Sequence, residues 1–168
     1  MRDWYEGRRP TTSVERVIAA PAGRLWPLFT DPDLPARFSH EYQGGHWIDG
    51  ADGPAVGARF VGRNHRRSLG TWETVCHVIE CQPPTRYAWA VADPDAPNAV
   101  WRFEAEPAAG GTTLRYTVVL GPGRSGLTWA IRQQPERRDE LIAMRLDDLR
   151  RNMTAVVDGI AQLAEGNA

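Results

Sequence analysis

The sequence predicts an α+β domain in which one long C-terminal helix lies across a strongly curved antiparallel sheet of about seven strands. Three observations carry that reading. From Pro135 to about Glu165, Ile142, Leu146, Leu149, Met153, Val156, Val157, Ile160, Leu163 and Ala164 recur every three or four residues and form one apolar stripe. Most of the chain before it alternates with period two between clusters of turn-forming residues. Seven tryptophans among 168 residues call for broad, flat apolar surfaces inside.

The helix comes first because its length sets the size of its partner. Pro135 suits a first helical turn, where its missing N–H is no loss. Arg137, Arg138, Asp139, Asp147, Asp148, Arg150 and Arg151 occupy the face expected to meet water. A helix of this span runs roughly 45 Å, so only a large sheet can cover its stripe.

The remaining elements follow in chain order. Thr11 to Ala19 reads as a first strand ended by Ala20-Pro21. A short helix carries Leu25, Leu28 and Phe29 on one side, with Pro27 expected to keep it short, and Pro32 to Phe38 make a second helical turn or two. Tyr42 to Ile48 is a strand whose Gly44-Gly45 pair marks a bulge. Ala58–Arg66, Gly70–Cys81, Arg86–Val91, Ala99–Glu106 and Thr112–Leu120 are strands joined by short links, which favour antiparallel neighbours. Ser125 caps a short helix from about Gly126 to Arg132.

Period two also sorts the strands into faces. Ala58, Phe60, Gly62 and Asn64 point inward, as do Trp72, Thr74, Cys76 and Val78, then Tyr87, Trp89 and Val91, then Trp101, Phe103 and Ala105, then Leu114, Tyr116, Val118 and Leu120. Val75 and Ile79 fall on the outer face. A solid core would favour Leu, Ile and Val, which leave no polar atoms to satisfy. An aromatic interior holding Asn64, Thr74, Tyr87 and Tyr116 implies a cavity where water or a ligand meets those groups.

Composition narrows the partners. Twenty Lys and Arg against 21 Asp and Glu give a net charge of -1, which offers no field to gather nucleic acid or an anionic membrane. The first ten residues lack the apolar core of a signal peptide, and no run approaches a membrane span. The expectation is a cytoplasmic protein of one domain, residues 1–168, without membrane insertion, as a monomer or weak homodimer. Cys76 and Cys81, five apart in one strand, are expected on opposite faces and free.

Catalytic signatures are sparse. His40 and His46 lie near Glu41 and Asp49, but nothing matches a zinc signature, so no metal and no cofactor is expected. His65 and His77 fall on outer faces. Cys76 has no base on its own face, no nucleophile elbow is present, and the Gly121–Gly126 segment lacks the lysine of a phosphate loop. Arg66 shares its parity with Asn64, so Arg66, Tyr116 and Glu41 are the candidates for acid/base work at the cavity. Glu41, if buried, would either have its charged form disfavoured or pair with a nearby arginine.

The order of elements resembles the START-like, or helix-grip, superfamily (SRPBCC, Bet v 1-like) that includes polyketide cyclases, aromatases and lipid carriers. The likeness spans about Thr12 to Glu165. Its local carriers are Phe38-Ser-His-Glu41, Val56-Gly-Ala-Arg-Phe-Val-Gly-Arg-Asn64, Thr71-Trp-Glu-Thr74 and Gly121-Pro-Gly-Arg-Ser-Gly-Leu127, which look like those of bacterial polyketide cyclase/dehydrase-type proteins. His40 stands where such proteins usually have proline. The resemblance implies a hydrophobic, aromatic or polyketide-like ligand, met by Phe38, Phe60, Asn64, Trp72, Thr74, Cys76, Tyr87, Trp89, Trp101 and Tyr116. Three roles stay open: a carrier, sequestering or self-sacrificing resistance protein of natural-product metabolism; a cyclase or aromatase that assists aldol closure and dehydration; and a chaperone-interaction module.

Overall fold

The computed structural model describes residues 9–166. Strands β1 (Thr11–Ile18), β2 (Tyr42–Trp47), β3 (Arg59–Arg66), β4 (Gly70–Gln82), β5 (Arg86–Val91), β6 (Ala99–Ala108) and β7 (Gly111–Leu120) form one antiparallel sheet in the order β1-β7-β6-β5-β4-β3-β2. Helices α1 (Ala22–Phe29), α2 (Gly126–Gln133) and α3 (Arg138–Glu165) complete it, with 3₁₀ turns at Leu34–Arg37 and Pro135–Arg137. The α+β helix-grip architecture is therefore the one expected. The absence of a signal peptide was read from a segment lying largely outside the described residues. Among the described residues, no helix is long and apolar enough to cross a membrane.

Inward residues stack in register across the strands. Val78, Trp89, Trp101 and Val118 form one cross-strand row, and Cys81, Tyr87, Phe103, Tyr116 and Val14 the next. Opposed residues share a face, so each row extends one apolar band around the curve. Val75 is half-buried and Ile79 exposed, which confirms the face chosen for β4.

Local details differ from expectation for identifiable reasons. The register shifts between Val78 and Glu80, and the extra residue turns Cys81 to the same face as Cys76, not the opposite one. Both thiols are free. Helix α1 is short and includes Pro27, as expected, because losing one hydrogen bond near a helix end costs little when Leu25 and Phe29 are buried below. The long helix begins with a 3₁₀ turn and contains 28 residues. Gly44, at φ +130°, forms the expected bulge in β2, and a Cβ on Gly45 or Gly62 would strike the Tyr42 ring or hydroxyl within 3 Å.

The sheet and helices enclose two unlike regions. Beneath the last turns of α3 the interior is solid: Val157, Ile160, Ala161 and Ala164 are buried, α3 packs along β1, and Phe29, at the border of the hollow, stacks on Phe103 at 5.2 Å. Beneath α2 and the stretch of α3 from Arg145 to Val156 it is hollow. The indoles divide likewise. Trp72, Trp89 and Trp101 face the hollow, Trp26 and Trp47 pack against the core, and Trp129 is 61% exposed, contrary to an all-interior reading of the tryptophans. Trp4 lies outside the described residues.

Candidate functional site

The hollow is a cavity of about 460 Å³, within the roughly 300–1,000 Å³ usual for small-molecule sites. Its floor is the concave face of the sheet. Trp89 and Trp101 lie nearly parallel at 6.2 Å, Trp101 meets Tyr116 at 5.3 Å, and Tyr116 stacks on Phe103 at 3.9 Å. Its roof is a row on α3 made of Arg145, Leu149, Asn152, Met153 and Val156. The rim includes Leu69 at the β3/β4 hairpin, Gly121 to Leu127 leading into α2, and Asn98 and Ala99 at the start of β6.

The Gly121–Leu127 segment is held by a reciprocal cap. Ser125 N–H donates to Thr128 Oγ1 at 2.8 Å, and Thr128 N–H donates to Ser125 Oγ at 3.2 Å. That cap fixes where α2 starts and so where Leu127 meets the cavity.

Nine of the ten residues expected around a ligand line this cavity: Phe60, Asn64, Trp72, Thr74, Cys76, Tyr87, Trp89, Trp101 and Tyr116. Phe38 stands apart. Its ring lies where a Cβ on Gly159 would be, at 2.5 Å, so it packs on α3 away from the cavity wall. The polar members have few protein partners. The Tyr87 hydroxyl is buried without a hydrogen-bond partner among the described residues, an arrangement that costs about 1–3 kcal/mol unless something completes it.

Burial sets the protonation of the inward groups. It pushes the Cys76 thiol up to about 12 and the Tyr87, Tyr42 and Tyr116 phenols above their ordinary range, because the ionised forms would lose their hydration. At neutral pH each is an uncharged group. Held as a thiol, Cys76 lacks the thiolate form that nucleophilic attack uses.

Charges gather at one end. Arg145 of α3 grips Glu41 with two bonds of 2.7 Å, while Arg66 Nε lies 3.6 Å from Glu41 and Arg66 Nη2 donates to Asp148 at 3.0 Å. Of the two readings of Glu41, pairing with arginine is the one found. Asp148 therefore does not simply face water, and Arg138 is half-buried with its Nε unpartnered. Asn152 ties α3 to the same loop, accepting from His40 N–H at 3.0 Å and from Ser39 Oγ at 3.3 Å.

Arg145, Asp148 and Asn152 were missed from the sequence. Arg145 and Asn152 sit seven apart in the row that holds Leu149 and Val156, so two polar residues interrupting an apolar row were the available signal. The histidines do not converge: Asp49 bonds Arg59, and among the described residues no three His, Cys, Asp or Glu side chains form a metal-binding group.

The comparisons with known proteins agree with this geometry. No curated protein matches the chain. A Polyketide_cyc-like protein of Corynebacterium glutamicum is 27% identical, superposes with a TM-score of 0.68, and aligns over 95% of this chain and 94% of its own. The di-domain ARO/CYC proteins StfQ, from the steffimycin pathway, and BexL, from the BE-7585A pathway, are 10% and 15% identical with TM-scores of 0.73 and 0.69. This chain is covered to 94% and 92%, and spans about half of each, 51% and 50%. Residues 9–164 match the family described as polyketide cyclase / dehydrase and lipid transport, so this chain, built as a helix grip, belongs to that family and to the START-like (SRPBCC) superfamily.

Proposed function

We propose that the chain, as a single domain over residues 1–168, binds one hydrophobic, aromatic or polyketide-like molecule in the cavity and carries or sequesters it without chemical change. The observation that carries the reading is the cavity itself: flat aromatic walls from Trp89, Trp101 and Tyr116 beside a buried Tyr87 hydroxyl with no partner among the described residues. Aromatic faces supply large, rigid contact area. A carbonyl or hydroxyl on a bound ring would complete the hydrogen bonding the wall lacks. The ARO/CYC relatives and the family description support a polyketide-related ligand.

Cyclase or aromatase activity is the second reading, favoured by Arg66, Tyr116 and Glu41 all lining the cavity. Carriage is preferred because the charges on this wall are engaged: Glu41 holds Arg145 and Arg66, and Arg66 also holds Asp148. Among the described residues no histidine lines the cavity, so they supply no imidazole shuttle poised near neutral pH.

Emodin, an aromatic polyketide, and a linear poly-β-ketone mimic separate the two. Emodin is expected to quench tryptophan fluorescence to saturation at one per chain, and both compounds to be recovered unaltered by mass spectrometry. Cyclised product at substoichiometric protein, abolished by Arg66→Ala, would replace the carrier reading with the cyclase. Failure of both compounds to bind would remove both readings.

A further inference from the structure

Outside the cavity, a second concavity opens on the surface between the β3/β4 hairpin and α3. It is lined by His40, Glu41, His65, Arg66, Arg67, Ser68, Asp148, Arg151 and Asn152, with Ala155. Glu41, Arg66 and Asn152 line both spaces, so they form the partition between an aromatic interior and a charged exterior groove.

The groove carries excess positive charge. Arg66, Arg67 and Arg151 stand against Glu41 and Asp148, and Arg145 behind Glu41 adds a fourth guanidinium. Asp148 is shared between Arg66 and Arg151, and Glu41 between Arg145 and Arg66. Arg67 has no carboxylate partner among the described residues and is exposed. The chain as a whole is at -1, so this is a local arrangement and not a consequence of bulk charge. A cleft with low-dielectric walls concentrates such a field, and guanidinium pairs geometrically with carboxylate, sulfonate or phosphate oxygens.

We infer that the ligand is an amphipathic anion: its ring system occupies the aromatic cavity, and an acidic end group crosses the partition to lie on Arg66, Arg67 and Arg151. This rests on the cavity-binding reading above and adds the charge and the direction of the bound molecule. Arg66 would exchange part of its contact with Asp148 for the ligand's anion, while Arg67 and Arg151 meet it from the solvent side. A neutral ring compound would use the interior alone.

Two fluorescent probes with the same aryl-naphthylamine skeleton test this: 8-anilino-1-naphthalenesulfonate, which carries an anionic group, and N-phenyl-1-naphthylamine, which carries none. The inference expects both to bind at one competing site per chain, with the sulfonate at least fivefold tighter than its hydrophobicity alone gives. That advantage should fall when NaCl is raised from about 50 to 500 mM, since the groove is open to screening. In the double variant Arg67→Ala/Arg151→Ala, sulfonate affinity should drop at least fivefold while that of the neutral probe stays within twofold. Equal binding of the two probes, or an equal loss of both in a variant with unchanged thermal stability, overturns the inference and leaves cavity binding standing. Binding of neither probe to the unaltered protein removes the cavity reading as well.

Discussion

Arg145 holds Glu41 through two parallel hydrogen bonds, Nη1 to Oε2 and Nη2 to Oε1, each 2.7 Å, with the two side chains only 19% and 15% exposed. The pair fastens the N-terminal half of α3 to the segment leading into β2, at the partition between cavity and groove. Bidentate geometry at low exposure makes it worth more than a surface ion pair. Glu41→Ala is expected to destabilise the protein by about 2 kcal/mol, because it leaves two half-buried guanidiniums short of a counter-charge. Adding Arg145→Met should recover part of that loss, which urea denaturation of the single and double variants would measure. Strict additivity of the two substitutions would show that the pair contributes nothing as a pair.

Phe38 and Gly159 make a second, apolar fastening between the same segment and α3. Alanine in place of a helical glycine normally stabilises by about 1 kcal/mol. Here the new methyl would meet three atoms of the Phe38 ring at 2.5 Å, and displacing the ring outweighs the propensity gain. Gly159→Ala is therefore expected to lower stability by about 1 kcal/mol, and the same substitution in a Phe38→Ala background to raise it. Thermal melts of the four proteins give the sign directly; a stabilising Gly159→Ala alone would mean the ring yields freely.

The buried phenols and thiol predict behaviour in alkali. Their folded-state proton affinity is raised above the unfolded value, with Cys76 moving from 9.0 to about 12 and Tyr42, Tyr87 and Tyr116 upward from 10.0. Their contribution is thus fully present below pH 9 and is lost as pH climbs toward 12, by about 1.4 kcal/mol per unit for each group that ionises only when unfolded. Stability should be flat with respect to these groups from pH 7 to 9 and fall above. Phenolate absorbance from these three tyrosines should appear together with loss of circular dichroism. Early ionisation of any of them in the folded protein, or rapid labelling of Cys76 by a thiol reagent at pH 8, would contradict their burial.

Much of this was readable in the chain because alternation along a strand leaves only two choices of face, and polarity decides between them. Phe60, Trp72, Trp89, Trp101 and Tyr116 were placed that way and line one cavity. The stripe on α3 was legible for a similar reason. What escaped was whatever breaks a period or depends on distant partners. The extra residue between Val78 and Glu80 carries no sequence mark and turns Cys81 inward. Arg145 and Asp148 look like solvated helix residues until Glu41 and Arg66, 104 and 82 positions earlier, are folded beside them.

The central claim is that the hollow beneath α2 takes an aromatic guest against Trp89, Trp101 and Tyr116. Intermolecular nuclear Overhauser effects between bound emodin and the protein test it most directly. The account predicts cross-peaks from the ligand's ring protons to the Trp89 and Trp101 indoles and to the Met153 methyl on the roof. Cross-peaks confined to exposed residues such as Trp129, with the interior indoles unperturbed at saturating ligand, would contradict it.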